Sequence, residues 1–215
     1  MTSTASKKGK QSPKTSRGGL IAGIVGGAVV LLLILAVVGP WSNTSPGSEY
    51  GDPTVEGGLP LMPPSATIDD SAAGLAAPTV SGEDFDGNEV RIENDGRAKA
   101  IVFLAHWCPH CQAEVPRVQA WLDETGGVEG VDMYSVATSM NSGRDNFPSS
   151  DWLEREGWTV PVIRDDQANS ILVAYGQGGF PFWAFVARDG TVSVRTAGQT
   201  SIEQLQLILE TLAAE

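Results

Sequence analysis

A continuous apolar run followed at once by a pair of cysteines constrains this chain more than any other feature. Residues 100–105 read AIVFLA, a pattern typical of a strand that is buried on both faces. Cys108 and Cys111 follow in the spacing C-x-x-C, at the start of a helix that the pattern predicts to about residue 124. The two thiols are therefore expected at the junction of a buried strand and a helix N-terminus.

This position has chemical consequences for the two thiols. The unpaired N–H groups and partial positive charge of a helix N-terminus stabilise a thiolate, which predicts Cys108 as the nucleophile. Cys111, one turn further, can form a disulfide with it and resolve a mixed disulfide. His110 can donate a hydrogen bond or a positive charge to Cys108, which makes the disulfide more oxidising. Pro109 stiffens the first turn at little cost.

The two cysteines have two alternative roles. A structural disulfide within one helical turn closes a very short loop and stabilises little. A metal site from His106, Cys108, His110 and Cys111 is a second alternative, but the chain has only two cysteines and two histidines with which to close a tetrahedral shell. We therefore expect a redox-active disulfide, no metal and no cofactor. Haem attachment requires a histidine directly after the second cysteine, where Gln112 stands.

Short strand-like runs alternate with helical patterns from about residue 77 to the end, which is typical of an α/β protein. The predicted strands are 90–92, 100–105, 131–138, 159–164, 182–187 and 191–195. The predicted helices are 108–124, 150–156, 167–175 and an amphipathic C-terminal helix capped by Ser201.

The first 76 residues have a different composition. Residues 1–18 are basic and lack apolar periodicity, which predicts a disordered cytoplasmic tail. Residues 19–38 carry no charge and match a bilayer core of roughly 30 Å as a helix, with a cleaved signal peptide as the alternative. The preceding basic residues place the rest outside the cytoplasm. Residues 39–76 are rich in Pro, Gly, Ser and acids, and predict a flexible linker to a domain at 77–215.

The charge distribution excludes one class of partner. All 26 acidic side chains lie after residue 38, together with nine of the 14 basic ones, a balance of −17. Such a surface repels phosphate backbones. We therefore expect no nucleic-acid binding.

At this point the chain resembles a known family. Trp107 before the C-x-x-C centre, Glu114, Pro116 and the late Phe180-Pro181 resemble the thioredoxin superfamily. The segments AAPTVSGEDFDGNEVRI and WCPHCQAEVP are similar to exported, often membrane-tethered proteins of the TlpA, ResA and DsbE type. The resemblance implies a thioredoxin-like α/β fold, a central mixed β-sheet flanked by helices, preceded here by one transmembrane helix.

The resemblance also implies roles for single residues. Cys108 attacks, Cys111 resolves, Trp107 flanks the site, and Pro181 is a cis-proline beside the cysteines. Pro116 is expected to kink the helix rather than end it.

Two further side chains were expected to be exposed. Glu114 was assigned to an exposed helical face without a function, with tuning of the cysteines as the alternative. His106 was expected on the surface or at the rim of the site.

Two positions depart from the superfamily pattern. Val102 stands where thioredoxins carry a buried aspartate, so that no carboxylate is available there to deprotonate the resolving thiol. Phe180 stands where Thr or Val is usual, which affects substrate preference.

The dipeptide Pro109-His110 resembles the centre of DsbA-type oxidases, and it favours a dithiol oxidase that forms disulfides in exported proteins. A membrane redox partner would regenerate the active disulfide. The alternatives are a reductase of the kind used in cytochrome c maturation and, from another class, a metal-binding or metallochaperone module.

Overall fold

Most of the apolar run at the cysteine site lies in a central strand of the main sheet, Ala98–Leu104, and all seven residues of that strand are buried. We analysed a computed structural model that describes residues 1–2 and 48–215. The predicted membrane anchor at 19–38 and nearly all of the predicted tail at 1–18 lie outside the described residues. Within the described residues, no helix is long and apolar enough to cross a membrane.

Strands and helices alternate along residues 48–215. The strands are β1 (Thr54–Glu56), β2 (Ile68–Asp69), β3 (Thr79–Glu83), β4 (Glu89–Ile92), β5 (Ala98–Leu104), β6 (Val131–Ala137), β7 (Val162–Arg164), β8 (Phe182–Val186) and β9 (Val192–Ala197). The helices are α1 (Pro109–Thr125), α2 (Ser149–Arg155), α3 (Ser170–Ala174) and α4 (Ile202–Ala214). These elements confirm the predicted α/β class.

The main sheet has six strands in the order β2-β9-β8-β5-β6-β7. Strand β5 pairs in parallel with β6 and antiparallel with β8, so the sheet is mixed, as predicted. A smaller antiparallel sheet has the order β1-β3-β4. The carboxyl end of β5 leads directly into the cysteine site and α1.

Alternate side chains of β5 enter two apolar cores, because successive residues of a strand point to opposite faces. Ala98, Ala100, Val102 and Leu104 pack in the core that contains the buried residues of α1, α2 and α4. Ile101 and Phe103 pack in the second core, which contains those of α3 and of the small sheet. Burial on both faces explains why every residue of β5 except Lys99 is apolar.

Three predicted elements have different bounds in the structure. Strand β7 begins at Val162, after Pro161, and not at residue 159. Helix α3 begins only at Ser170, because turns occupy the residues before it. Helix α2 is preceded by Pro148 at its N-cap and not by a serine or aspartate. The predicted cap of α4 is confirmed, since the Ser201 hydroxyl accepts a hydrogen bond from the Gln204 N–H.

The prediction of a flexible linker over 39–76 is wrong for its described part. Strand β1 pairs with β3, and β2 pairs with β9 at the edge of the main sheet. Leu59 and Met62 are buried in the second core. The buried Arg195 donates to the Pro60 carbonyl at 2.7 Å and to the Asp69 carboxylate, so this segment contributes buried polar and apolar contacts despite its composition.

Candidate functional site

Helix α1 begins at the cysteine pair, and its backbone orients the first thiol. Cys108 is the N-cap, with extended backbone angles of φ −80 and ψ 119, and Pro109 begins the helix. The Cys108 carbonyl accepts from the Gln112 N–H at 3.0 Å, which closes the first turn. The helix continues through Pro116, as predicted.

Both cysteines are free, and both are buried. Cys108 keeps 6% of its surface exposed and Cys111 keeps none. A hydrogen bond from the Cys111 side chain lowers the pKa of Cys108 to about 5, against the opposing effect of burial. The N–H groups of Cys111 and His110 assist, and the charge of His110 follows as a smaller contribution. The hydrogen bond with the Cys108 side chain, together with burial, raises the pKa of Cys111 well above its usual range.

The two residues between the cysteines lie on the surface. Pro109 and His110 are both exposed, at the first turn of α1. His110 therefore lies beside the thiol pair and open to a partner protein, and it acts on Cys108 mainly through its backbone N–H.

Glu114 is buried, and the prediction that it lies on an exposed helical face is wrong. Its side chain is 1% exposed, because this face of α1 packs against β8 and the residues before α4. The carboxylate accepts hydrogen bonds from Trp183 Nε1 at 2.9 Å, Arg117 Nη2 at 2.6 Å and the Thr200 N–H at 3.2 Å. Burial raises the pKa of Glu114. Its charge contributes to the raised pKa of Cys111, so Glu114 acts on the second cysteine of the pair.

His106 is also buried, and the prediction of a surface or rim position is wrong. The residue has no exposed surface. The Nδ1 atom of its ring lies 2.7 Å from the Asp145 carbonyl oxygen, and the Asn141 N–H donates a hydrogen bond to Nε2 at 3.1 Å. Both nitrogens are therefore occupied by backbone groups and are not available to bind a metal.

The segment Phe180-Pro181 lies against the first cysteine. Its peptide bond is cis, as the resemblance implied. The Cys108 Sγ lies 3.8 Å from the Phe180 carbonyl oxygen. The Trp107 ring meets the Phe180 ring edge to face, with centroids 6.1 Å apart. Phe180 therefore contacts both the first cysteine and Trp107.

Trp107 is also in contact with the loop that joins β6 to α2. Trp107 Nε1 donates to the Ser139 carbonyl at 2.7 Å. The Arg144 guanidinium lies 4.9 Å from the centroid of the Trp107 ring, within the range of a cation–π interaction. Val102 is buried in the same core as the two cysteines and carries no carboxylate. The buried carboxylate near Cys111 on α1 is that of Glu114.

A groove of about 530 Å³ opens beside Phe180. Residues 61–67 form one side of it, and residues 177–180 form the other. The first of these segments belongs to the part of the chain that the sequence assigned to a linker.

Several residues at the site have no local signal in the sequence. Trp183, Thr200 and Arg144 stand in segments without a recognisable motif, and only the fold brings them to the cysteines. Within residues 48–215, no cluster of three or more His, Cys, Asp or Glu side chains is arranged to hold a metal ion.

Comparison with known sequences places this geometry in a family. The sequence family described as Redoxin matches residues 72–207. The sporulation thiol-disulfide oxidoreductase A of Bacillus subtilis is 23% identical over 122 residues, which cover 57% of this chain and 72% of that protein. The thiol-disulfide oxidoreductase ResA of Halalkalibacterium halodurans is 26% identical over 120 residues, 55% of this chain and 65% of the relative.

Solved structures share the fold. A thioredoxin-family thiol:disulfide interchange protein from Chlorobium tepidum superposes with a TM-score of 0.54 at 21% identity, covering 64% of this chain and 95% of that one. A DsbF homologue from Corynebacterium diphtheriae gives 0.57 at 14% identity, covering 73% and 100%. The mixed sheet and flanking helices therefore form a thioredoxin-like fold. The chain belongs to the Redoxin family, and it is a thioredoxin-like thiol:disulfide oxidoreductase.

Proposed function

We propose that this chain exchanges disulfides with exported proteins through Cys108 and Cys111, and that it works as a dithiol oxidase. The observation that carries the direction is the pKa of Cys108, about 5. A stabilised thiolate favours the reduced enzyme, and therefore makes its disulfide a stronger oxidant. Two pKa units below neutral pH correspond to about 2.7 kcal/mol, or about 60 mV for a two-electron couple.

The proposed reaction begins with the Cys108–Cys111 disulfide. A substrate thiolate attacks the Cys108 sulfur, the disulfide bond breaks, and Cys111 leaves as a thiolate that takes up a proton. A second substrate thiolate then attacks the substrate sulfur of the mixed disulfide, and Cys108 leaves as a thiolate. The substrate loses two electrons, and the enzyme gains them. A membrane redox partner removes these electrons and restores the enzyme disulfide.

The pKa difference between the two thiols suits this order of events. A thiol of low pKa is a good leaving group, which favours release of Cys108 from the mixed disulfide. The hydrogen bond with Cys108 and burial both raise the pKa of Cys111 in the reduced pair. Burial persists in the mixed disulfide, so Cys111 holds its proton there and attacks slowly. The mixed disulfide therefore persists long enough for the second substrate thiol to react.

Reduction is the second candidate direction, and Glu114 favours it. A reductase needs Cys111 to lose its proton before it attacks the mixed disulfide. Glu114 is a buried carboxylate one helical turn from Cys111, and its raised pKa suits a group that accepts a proton. The names of the relatives do not favour oxidation. The measurement below separates the two directions.

The deciding measurement is the reduction potential of the cysteine pair in the purified chain, equilibrated with glutathione buffers. A value near about −120 mV supports the oxidase, and a value at or below about −270 mV would exclude it in favour of the reductase. The matching activity assay compares oxidation of a reduced, unfolded protein with reduction of insulin. Cys108→Ser should abolish both activities.

We also propose that residues 19–38 anchor the chain in a membrane, with residues 1–18 in the cytoplasm and the redox domain outside. The support is the uncharged length of this segment and the basic residues before it. Alkaline carbonate extraction tests the anchor, and protease added to intact cells tests the orientation. Release of the chain by carbonate, or protection of the domain from protease, would contradict the proposal.

A further inference from the structure

The 139–147 loop, which joins β6 to α2, is held against the redox site by one buried side chain. Both ring nitrogens of His106 form hydrogen bonds with the backbone of this loop, one at Asn141 and one at Asp145. The Phe147 ring meets the imidazole edge to face, with centroids 5.7 Å apart. The His106 carbonyl in turn accepts from Gln112 Nε2 on α1 at 2.8 Å. His106 thus connects the loop to the helix that carries the thiols.

The two backbone partners fix the protonation state of this ring. The Asn141 N–H can only donate, so Nε2 must be the unprotonated nitrogen that accepts from it. The Asp145 carbonyl can only accept, so Nδ1 must carry the hydrogen. Only the neutral Nδ1–H tautomer satisfies both partners. A second proton would place two N–H groups face to face and break the bond to Asn141.

The loop forms one side of the surface around Cys108. The Ser139 carbonyl binds the Trp107 indole, and Arg144 lies over the ring of the same residue. Trp107 also contacts Phe180, edge to face. A protein that reaches the Cys108 sulfur must therefore pass between this loop and the Phe180 segment, whereas a small disulfide needs much less of that surface.

We propose that His106 is a positioning residue that, in its neutral form, holds the 139–147 loop as one side of the binding site for protein substrates, and that its protonation releases the loop. The proposal rests on the proposed function, because it concerns how the same thiol pair receives a protein. It predicts that acid slows the reaction with proteins more than the reaction with small disulfides.

Several charges surround the ring. Burial, the largest influence, lowers the pKa of His106, and the Arg144 guanidinium acts in the same direction. The Asp145 carbonyl and the Glu49 carboxylate, from the segment before β1, oppose it. The Cys108 thiolate, two residues along the chain, is a further anion at the start of α1. The ring is therefore neutral near neutral pH and is protonated only in more acidic solution.

The first test measures the loop directly in the wild-type full-length chain. Hydrogen exchange of the Asn141 amide, corrected for its intrinsic dependence on pH, should lose protection by about tenfold or more on acidification, the scale of a lost hydrogen bond. In His106→Gln, which does not titrate, the corrected protection should not change with pH. Equal pH dependence in the two proteins would overturn the proposal, and this test needs no catalytic activity.

The second test compares two substrates of the same enzyme: a cysteine-containing unfolded protein and oxidised or reduced glutathione. Each rate is divided by the thiolate fraction of the attacking thiol, which is the substrate thiol in the oxidase direction and Cys108 in the reductase direction, measured by ultraviolet absorbance. In wild type, the ratio of the protein rate to the glutathione rate should fall in acid. In His106→Phe, which keeps a buried ring and loses both hydrogen bonds, the ratio should be about tenfold lower at neutral pH and should not vary. In His106→Gln, the ratio of the protein rate to the glutathione rate should lie between those of His106→Phe and wild type.

Arg188→Ala, which removes an exposed arginine bonded to the Ala213 carbonyl on α4, is the control and should match wild type. A ratio that follows the same pH profile in His106→Phe as in wild type would overturn the positioning role while the glutathione reaction still shows an active enzyme. Failure of wild type to react with either substrate would instead sink the proposed function, and the hydrogen-exchange test would still decide the role of His106.

Discussion

Trp183 donates a hydrogen bond of 2.9 Å from its indole Nε1 to the carboxylate of Glu114, and neither side chain has more than 1% of its surface exposed. The bond joins the middle of the sheet to the helix that carries both thiols. It therefore fixes a titratable group beneath the redox pair, at a position where its charge raises the pKa of Cys111.

Replacing Glu114 should change both stability and redox chemistry. Glu114→Ala leaves Trp183 Nε1 and the Thr200 N–H without an acceptor, at a cost of about 2–4 kcal/mol in the free energy of unfolding. Glu114→Gln keeps one acceptor oxygen and should cost less, while it lowers the pKa of Cys111. Urea unfolding and thiol titration measure the two effects. Glu124→Gln, on an exposed position of the same helix, is the matched control.

The same carboxylate predicts a dependence of stability on pH. Because burial raises the pKa of Glu114 in the folded protein, the folded state binds this proton more tightly than the unfolded chain does. The contribution of Glu114 to the free energy of unfolding therefore falls as pH rises from the unfolded value, about 4.3, through the folded one. The difference between wild type and Glu114→Gln, measured by urea unfolding at several pH values, should show this fall. A difference that is constant with pH would contradict it.

The Cys111 thiol should account for most of the acidity of Cys108. Cys111→Ala removes the hydrogen bond that lowers the pKa of Cys108 most, so that this pKa should rise from about 5 towards its ordinary value. Cys111→Ser keeps a hydroxyl donor and should raise it less. The pH dependence of iodoacetamide alkylation at Cys108 provides the measurement. Equal values in the two variants would show that the N–H groups of the helix, and not the thiol, stabilise the thiolate.

His110 should have a smaller effect than its position between the cysteines suggests. Its side chain is exposed, and its charge follows its own backbone N–H among the groups that lower the pKa of Cys108. His110→Ala keeps the backbone donor, so we expect a higher pKa and a less oxidising disulfide, with a smaller shift than in Cys111→Ala. A potential that stays the same or becomes more oxidising would remove His110 from the tuning of the pair.

The sequence predicts the local structure around the cysteines well, because its signals are local. A continuous apolar run, a proline at the first helical position and the cysteine spacing lie within a few residues of each other. Together they correctly predict the buried strand β5 and the start of α1. The burial of Glu114 is not a local property. It depends on Trp183, 69 residues further along the chain, and on the face that α1 packs against the sheet.

The order of the segment before residue 77 likewise depends on distant residues and is not visible in its local sequence. Its Pro and Gly content predicts a flexible chain, and its few apolar residues have no clear period. Its order depends on Arg195, which reaches the Pro60 carbonyl across 135 residues of sequence and also binds the Tyr175 carbonyl at 3.0 Å. A basic residue in a predicted strand gives no indication that it will be buried and bonded to such a segment.

A buried ion pair between Asp69 and Arg195 joins that segment to the main sheet. Arg195 has no exposed surface, and Asp69 is the carboxylate that pairs with it. Although burial opposes ionisation, hydrogen bonds from Ser71 and Arg195 hold the pKa of Asp69 below its ordinary value. Asp69→Asn leaves a buried guanidinium without its counter-charge and should cost about 3–5 kcal/mol. Asp70→Asn, at the exposed neighbouring position, should cost almost nothing.

Deleting the segment should cost more than the single substitution. A chain that begins at residue 77 loses the Asp69 carboxylate and the Pro60 carbonyl, and it also loses Leu59 and Met62 from the core, each worth about 1.5–3 kcal/mol. Because small domains are stable by only about 5–15 kcal/mol, this chain should be largely unfolded, whereas a chain that begins at residue 48 should unfold cooperatively like the full-length protein. Circular dichroism during urea unfolding compares them. Equal midpoints for the two truncated chains would show that residues 48–76 do not stabilise the domain, and that the sequence-based boundary at residue 77 is the correct one.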